Sequence, residues 1–298
     1  MNRTLQNLVQ KELCPDGIWQ LSDVMQSILK HQVSRLPKRK ISETDTRYPV
    51  SPASMRSFLE VFFTRHYFQI QSSLINYMVS QDFLDIIRAG RLRILDIGSG
   101  PAVASLAITD MLVYILKYLK NLDDWPKGKV IEVTYVLNDT SGICLGIGQR
   151  MLTDYFQISR EYKTGVVHGR MISAQKAFPA NMNQIRRIAR NLGTYDIVTL
   201  SYVVVPLNED DGLNNLVNGL LNTGRLCNPN ARILIVQDRF NASLMRQISR
   251  AVGKTSHKEE LTQYIYPRRN ANETYTYSYY SCLYAPMKEV NLNRVAVA

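Results

Sequence analysis

Two short segments carry glycines and acids at spacings that suit ligand binding. The first segment contains Asp96, Gly98, Ser99 and Gly100 directly after an apolar run. Glycines between a strand and a helix let a ligand approach bare backbone. The second segment is another apolar run, which ends at Asp139. A carboxylate there can accept hydrogen bonds from two neighbouring hydroxyls. Together the two segments predict a small-molecule site.

The glycine spacing narrows the class of ligand. A dinucleotide-binding turn carries a third glycine three residues after the second, where the backbone approaches a pyrophosphate. In this chain that position is Val103. The spacing therefore disfavours a dinucleotide.

Strands alternating with helices are expected to position both segments. Apolar runs predict strands at 92–97, 129–137, 195–205 and 231–237, and a weaker strand at 165–168. Tyrosine- and threonine-rich runs at 261–266 and 274–284 predict an antiparallel pair. Alternating strands and helices give parallel strands with helices on both faces. The expected fold class is α/β: a doubly wound, mostly parallel seven-stranded sheet with an antiparallel C-terminal hairpin and an N-terminal helical extension.

Residues 1–89 are expected to form the helical extension or lid of a Rossmann-like domain at 90–298. Helical periodicity predicts helices at 16–36, 54–78 and 82–88, with Asp16 and Ser54 as N-caps of the first two. The proline-rich stretch 37–52 is predicted to be an exposed connector. The aromatic face of 58–68 resembles a stacking surface for bases, but core packing is the commoner use of such a face. His66 on that face is therefore expected to be structural.

Composition restricts the partners. The net charge of +11 and pI of about 9.5 attract polyanions such as nucleic acid. The four cysteines lie far apart without metal or redox spacing, so no metal is expected. No apolar run approaches the ~20 residues that cross a bilayer. We expect a cytoplasmic protein that does not bind a membrane.

Residues 94–100 resemble the first motif of class I S-adenosylmethionine (SAM)-dependent methyltransferases, a strand ending in an acid-x-Gly-x-Gly turn. The resemblance continues at Asp139, where the family places an acid for the ribose hydroxyls, and at Tyr195 and Asp196, which match the opening of the fourth strand. It covers roughly 90–285. The resemblance implies SAM as cofactor, held by these residues: Asp96, Gly98, Ser99, Gly100, Asp139, Thr140, Ile143, Ser173 and Ser201.

The remaining site residues follow from the same resemblance. Ile143 is a candidate apolar contact with the adenine ring. Ser173 stands where the family often has an acid or amide for the adenine amino group, so adenine recognition departs from the family pattern. The methyl acceptor is expected near the end of the fourth strand, around Ser201 and Tyr202. His168 is a titratable candidate on the cofactor side.

Three functions remain open. The first is methyl transfer to RNA, which includes ribosomal RNA as an acceptor. Its phosphate contacts would come from basic side chains of the connector, one helix and the hairpin loop: Lys38, Arg39, Lys40, Arg186, Arg187, Arg190, Arg268 and Arg269. The second is methyl transfer to a small metabolite, with the N-terminal helices as a lid. The third is a non-catalytic module of this fold that binds RNA or protein, because no Asn/Asp-Pro-Pro-Tyr/Phe motif follows the fourth strand.

Overall fold

The computed structural model describes residues 2–37, 49, 51–202, 210–238, 242–251, 258–265 and 274–286. Five helices come first: α1 (Asn2–Leu13), α2 (Asp23–Ser34), α3 (Pro52–Val61), α4 (Phe63–Met78) and α5 (Gln81–Arg88). Strands and helices then alternate: β1 (Arg91–Ile97), α6 (Val103–Asn121), β2 (Ile131–Asp139), α7 (Gly142–Ile158), α8 (Arg160–Lys163), β3 (Val167–Gln175), α9 (Met182–Leu192), β4 (Tyr195–Ser201), α10 (Asp210–Gly224), β5 (Cys227–Asp238), α11 (Ala242–Ala251), β6 (Lys258–Ile265) and β7 (Thr274–Tyr284).

The strands form one sheet in the order β3-β2-β1-β4-β5-β7-β6. Strands β1 to β5 run parallel, and β7 is antiparallel to both of its neighbours. The predicted α/β class with a mostly parallel sheet is confirmed. Because the chain leaves β1 toward β2 and returns to its other side as β4, the carboxyl end of β1 lies at the switch point of the sheet, where ligands bind in open α/β folds.

Apolar side chains cover both faces of the sheet. Leu92 and Ile94 pack on the face that carries α6 and α7, whereas Leu95 and Ile97 pack on the face of α9, α10 and α11. The near-continuous apolar sequence of β1 follows from burial on both faces.

The N-terminal helices differ from the sequence-based expectation. Residues 54–78 form two helices rather than one, with Phe62 between α3 and α4. Ser51, not Ser54, caps α3, because the two serines pair side chain to backbone in a capping box. Asp16 is not an N-cap: its φ of 52° places it inside a short turn, and Ser22 caps α2. Helix α1 was not predicted.

These helices share one hydrophobic core with the sheet. Buried side chains of α1, α2 and α4 belong to the same cluster as those of α6 and α7. A polar hub lies inside it, where buried Asp110 of α6 accepts hydrogen bonds from the Tyr67 hydroxyl (2.8 Å), the Tyr155 hydroxyl (2.6 Å) and Ser22 Oγ (3.0 Å). Asp110 therefore joins α2, α4 and α7 around one carboxylate.

Two strands also differ in length from the prediction. β3 extends to Gln175, well beyond the predicted end at 168, and β4 ends at Ser201 rather than 205. Within the described ranges, no helix is both long and apolar enough to span a membrane. The same residues contain no group of three or more His, Cys, Asp or Glu side chains arranged for a metal ion.

Candidate functional site

The turn between β1 and α6, residues 96–102, is called the glycine turn below. Three of its residues have positive φ: Gly98 (63°), Gly100 (51°) and Ala102 (59°). Glycine adopts this conformation without the steric cost that a side chain would bring. A Cβ atom built on Gly100 would meet nothing within 4 Å, so the backbone here borders open space. Gly100 therefore leaves open the space that a side chain would fill beside the turn.

Asp96 holds the glycine turn from beneath. Its Oδ2 accepts hydrogen bonds from Ser105 N (3.1 Å) and Ser105 Oγ (2.7 Å), and its Oδ1 accepts one from Thr199 Oγ1 (2.8 Å). The side chain is fully buried. Burial raises the pKa of Asp96 to about 6, and repulsion from the Asp139 carboxylate adds to the rise. Asp96 therefore locks β1, β4 and the first turn of α6 together.

Asp139 holds the glycine turn from the side. Its Oδ2 accepts a hydrogen bond from Gly100 N (2.8 Å), and its Oδ1 accepts one from Ser141 N (2.7 Å). The carbonyl of the preceding Asn138 accepts a hydrogen bond from Ser99 N (2.9 Å). The end of β2 thereby fixes the turn after β1 in one conformation.

These contacts define the electrostatics of the site. The amides of Ser99, Gly100 and Ser105 all point to acceptors inside the protein. A phosphate-binding turn presents such amides to its ligand, so the glycine turn is unsuited to phosphate. Two carboxylates stand beside it instead, and they favour a cationic ligand.

The third strand supplies the far side of the site. Ser173 Oγ accepts a hydrogen bond from Gln149 Nε2 (2.8 Å) and pairs in register with Leu137. Gln175 ends β3 directly opposite Asp139, and its Nε2 reaches the Thr140 carbonyl at 3.4 Å. Gln175 therefore lies nearer than Ser173 to the carboxyl ends of the strands, where Asp139 and the glycine turn lie.

Thr140 and Ile143 stand at the start of the second crossover. Thr140 is exposed between β2 and α7, while Ile143 is half-buried in the first turn of α7. Ser141 caps α7 by accepting from Cys144 N (3.3 Å), and its hydroxyl donates to the Pro49 carbonyl (3.3 Å). Pro49 brings the N-terminal part of the chain to the rim of the site.

The end of β4 lies under α4. Leu200 pairs in register with Ile97, so Ser201 and Tyr202 leave the sheet beside the glycine turn. The Tyr202 ring stacks on His66 of α4, with centroids 3.7 Å apart and planes 11° apart. The Tyr202 hydroxyl also donates to Gln69 Oε1. Helix α4 therefore covers the end of β4, where the sequence predicts the methyl acceptor.

Further side chains surround this stack. The Arg65 guanidinium lies over the Tyr277 ring at 4.0 Å and the Phe62 ring at 5.0 Å. The Tyr277 hydroxyl donates to Asp238 Oδ2 at the end of β5. Burial, and then the charge of Arg65, lower the pKa of His66 well below its usual value. The imidazole is therefore neutral at physiological pH.

His168 is wrongly assigned by sequence reasoning. It is the second residue of β3 and pairs with Glu132 at the amino ends of the strands. At ~3.3 Å per residue, the seven residues to Gln175 span about 23 Å. His168 is thus exposed near the amino end of β3, whereas the glycine turn lies at the carboxyl ends of the strands, so His168 cannot contact a ligand there.

The basic residues fall into two groups. Lys38, Arg39, Lys40, Arg268 and Arg269 lie outside the described residues. The second group, Arg186, Arg187 and Arg190, lies on α9. Arg187 of this helix and Arg170 of β3 flank a cleft of about 470 Å³. The remaining side chains that line the cleft are Ile172, Ile188, Asn191 and Leu192.

Sequence reasoning missed several side chains of the site. Ser105 and Thr199 bind Asp96, and Gln175 ends β3 opposite Asp139. His66 and Gln69 stand three residues apart on an aromatic-rich helix, which is the only local signal that they share a face. Their approach to Tyr202 is a tertiary contact across 133 residues for Gln69.

Comparison with known proteins gives no match to a family model or to a curated protein. Among solved structures, the chain resembles a precorrin-6y C5,15-methyltransferase from Geobacter metallireducens, with a TM-score of 0.40 and 10% identity over 74% of this chain and 86% of that one. It also resembles a precorrin 8w decarboxylase from Methanobacterium thermoautotrophicum, with a TM-score of 0.37 and 13% identity over 69% of this chain and 89% of that one. An rRNA methylase from Streptococcus thermophilus gives a TM-score of 0.33 and 10% identity over 65% of this chain and 86% of that one. At such identities the chemistry of this chain depends on its own residues.

Proposed function

We propose that this protein binds SAM at the glycine turn and transfers the methyl group to a base of RNA. One observation carries the cofactor assignment: the backbone amides of Ser99 and Gly100 in the turn are already bonded to Asn138 and Asp139. SAM has no phosphate to compete for those amides. It carries a sulfonium and an ammonium group, whose positive charges suit the two carboxylates.

The residues present can hold each part of SAM. The open backbone at Gly100 would face its amino-acid end, and Asp96, buried beneath the turn, would hold that backbone in place. Asp139 accepts a backbone amide on each oxygen. Because a carboxylate has about four acceptor positions, we assign the ribose hydroxyls to this side chain. Gln175 and Ile143 would border the adenine, as an amide and an apolar contact.

When bound, SAM supplies an electrophilic methyl group that an acceptor atom displaces in line. The protein's contribution is to orient the acceptor and exclude water. Ser201 and Tyr202 stand where the acceptor must approach, because β4 ends beside the glycine turn. Tyr202 itself is a poor base, since burial raises its pKa well above the usual value.

Charge supports RNA as the acceptor. The chain carries a net charge of +11. The cleft between β3 and α9 places Arg170 beside Arg187, and no carboxylate lines it among the described residues. Arginine pairs suit phosphodiester groups, which supply most of the binding energy in many nucleic-acid complexes.

A second candidate is methyl transfer to a small metabolite. The observation that favours it is that α4 covers the end of β4, where His66 stacks on Tyr202 and Phe62 packs against His66. In this proposal residues 1–89 act as a lid, whereas in the first they help to dock RNA.

Calorimetry and label transfer distinguish these functions. S-adenosylhomocysteine (SAH) should bind, and NAD⁺ and ATP should not, because the amides of Ser99 and Gly100 are already bonded to acceptors inside the protein. Methyl-labelled SAM should transfer label to total RNA. Label in a metabolite extract alone would favour the second candidate. SAH binding without label in any extract would leave a non-catalytic module, and absence of SAH binding would refute the cofactor assignment.

A further inference from the structure

Three polar atoms on one turn of α4 are buried without a hydrogen-bond partner in the described part of the chain. They are Arg65 Nε, His66 Nε2 and Gln69 Nε2. His66 is 8% exposed and Gln69 is fully buried. Buried polar groups in native proteins nearly always have partners, and an exception calls for an explanation. A bound ligand that supplies the missing partners is such an explanation.

The unpartnered atoms stand beside the proposed site of methyl transfer. His66 and Gln69 are three residues apart, which places them on one face of the helix with Cβ atoms about 5–6 Å apart. That face contacts Tyr202, which follows the end of β4. Val236 accepts the Tyr202 amide hydrogen bond at 3.0 Å, so β5 ends at the same place.

The two side chains present a donor next to an acceptor. Tyr202 donates to Gln69 Oε1, so the amide nitrogen of Gln69 is left as a donor. His66 is neutral because burial and the neighbouring Arg65 disfavour the imidazolium. With its proton on Nδ1, its Nε2 is an acceptor. An adjacent donor and acceptor complement an N–H that stands beside a ring nitrogen or a carbonyl oxygen, as on the pairing edge of a nucleobase.

We propose that His66 and Gln69 contact the methyl acceptor, a nucleobase that presents such an edge. This inference rests on the proposed function. Gln69 Nε2 donates to the acceptor ring or carbonyl, and His66 Nε2 accepts from the N–H that is methylated. The Tyr202 ring shifts off the His66 ring to admit the base, while the Tyr202 hydroxyl stays on Gln69 Oε1. The base takes the place of the Tyr202 ring in the stack because every base has a π-face.

The proton balance favours nitrogen as the acceptor atom. The nitrogen lone pair forms the bond to the methyl carbon, and the carbon–sulfur bond breaks with its electron pair remaining on sulfur. The nitrogen becomes more acidic as it gains the methyl group, and its proton passes to His66 Nε2 and then to water. A weak base suffices for this step, whereas a hydroxyl acceptor requires a stronger one.

Two substitutions of His66 separate its role as a hydrogen-bond acceptor from its role as the base that takes the proton. His66→Phe keeps a ring on Tyr202 and removes the acceptor atom. His66→Gln keeps a hydrogen-bonding group that takes no proton at neutral pH. Both should lower kcat for labelled total RNA by about 10²-fold or more, the usual contribution of a positioned base. Only His66→Phe should also raise KM for RNA. His168→Phe, at the far edge of the sheet, is the matched control and should change neither constant.

Other measurements keep the inference distinct from the proposed function. SAH should bind wild type and both His66 variants within about twofold, since a contact to the acceptor does not hold the cofactor. If wild type labels no RNA, the proposed function fails, and the inference falls with it. If wild type labels RNA and His66→Phe or His66→Gln is equally active, the inference alone is wrong. Nucleoside digestion must find the label on a base nitrogen; label on ribose oxygen or on a base carbon would also overturn it.

Should His66→Phe fail to fold, His66→Gln with Gln69→Met tests the same contact. Gln69→Met removes the donor while keeping a side chain of similar length. It should raise KM for RNA about tenfold and leave SAH affinity unchanged. An unchanged KM in Gln69→Met contradicts the proposed hydrogen bond.

Discussion

A single methyl group on α7 should displace the glycine turn. A Cβ atom on Gly148 would lie 2.9 Å from both Ala102 Cβ and Ala102 N, and 3.0 Å from Pro101 C. Two of these three atoms are backbone atoms, which cannot swing aside as a flexible side chain can. Restoring a carbon–carbon separation of about 3.5–4.0 Å requires a shift of roughly 0.6–1.1 Å. Gly148→Ala should therefore move the turn that we propose holds SAM.

The same helix offers a matched control. A Cβ atom on Gly146 would meet only the flexible end of Arg150, at 4.0 Å. Alanine in a helix is favoured over glycine by about 1 kcal/mol, so Gly146→Ala should stabilise the fold by about that amount. Gly148→Ala gains the same helix propensity but carries an overpacking cost of about 1–3 kcal/mol. The two variants should therefore differ by roughly 1–3 kcal/mol in the free energy of unfolding.

Urea unfolding and calorimetry check both effects. Gly146→Ala should raise the urea midpoint and leave SAH affinity unchanged. Gly148→Ala should lower SAH affinity at least tenfold, because an ångström of misplacement at a site is costly. Equal urea midpoints, or equal SAH affinities, in the two variants would refute the close approach between α7 and the glycine turn.

Three further predictions concern buried carboxylates. Asp110→Ala should lower the free energy of unfolding by about 3 kcal/mol or more. It removes the acceptor of three hydroxyls, Tyr67 among them, and each unpaired hydroxyl costs about 1–3 kcal/mol. A change below about 1 kcal/mol in urea unfolding would contradict the role of Asp110 as their shared acceptor. Asp139→Ala should weaken SAH binding more than Asp139→Asn does, because alanine leaves two backbone amides without an acceptor; calorimetry that finds the two variants equal speaks against this role. Burial raises the pKa values of Asp96 and Asp196 to about 6. Between about pH 4 and 6 the folded state therefore binds more protons than the unfolded state. As the pH rises through that window, the free energy of unfolding falls by up to about 3 kcal/mol for each of the two groups. Asp196→Asn should therefore make the urea midpoint at pH 7 rise relative to that at pH 4.5; an unchanged difference between the two pH values would show that Asp196 has no such shift.

The sequence predicts the sheet and the glycine turn well because their signals are local. β1 is buried on both faces, so its apolar run is continuous, and glycines must follow where φ is positive at Gly98 and Gly100. Asp139 is predictable for a similar reason, since it ends an apolar run. Such features depend on few residues and leave a mark on each of them.

The contact between α4 and the end of β4 is not predictable in this way. His66 and Tyr202 meet only because α4 packs over the carboxyl end of β4, and neither segment encodes that packing alone. His168 is wrongly placed because the polar start of β3 hides a strand that continues to Gln175. The break at Phe62 is hidden too, since the aromatic face continues across it.

The Asp110 hub has a consequence during synthesis. Ser22 and Asp110 are 88 residues apart, and Tyr155 is 45 residues farther on. A ribosome adding about 5–20 residues per second needs roughly 7–27 s to cover that combined distance. During this interval the apolar face of α2, and that of α4 once it has been made, lack part of the surface that buries them. Chaperone demand and aggregation of nascent chains should therefore depend on how quickly α6 and α7 emerge.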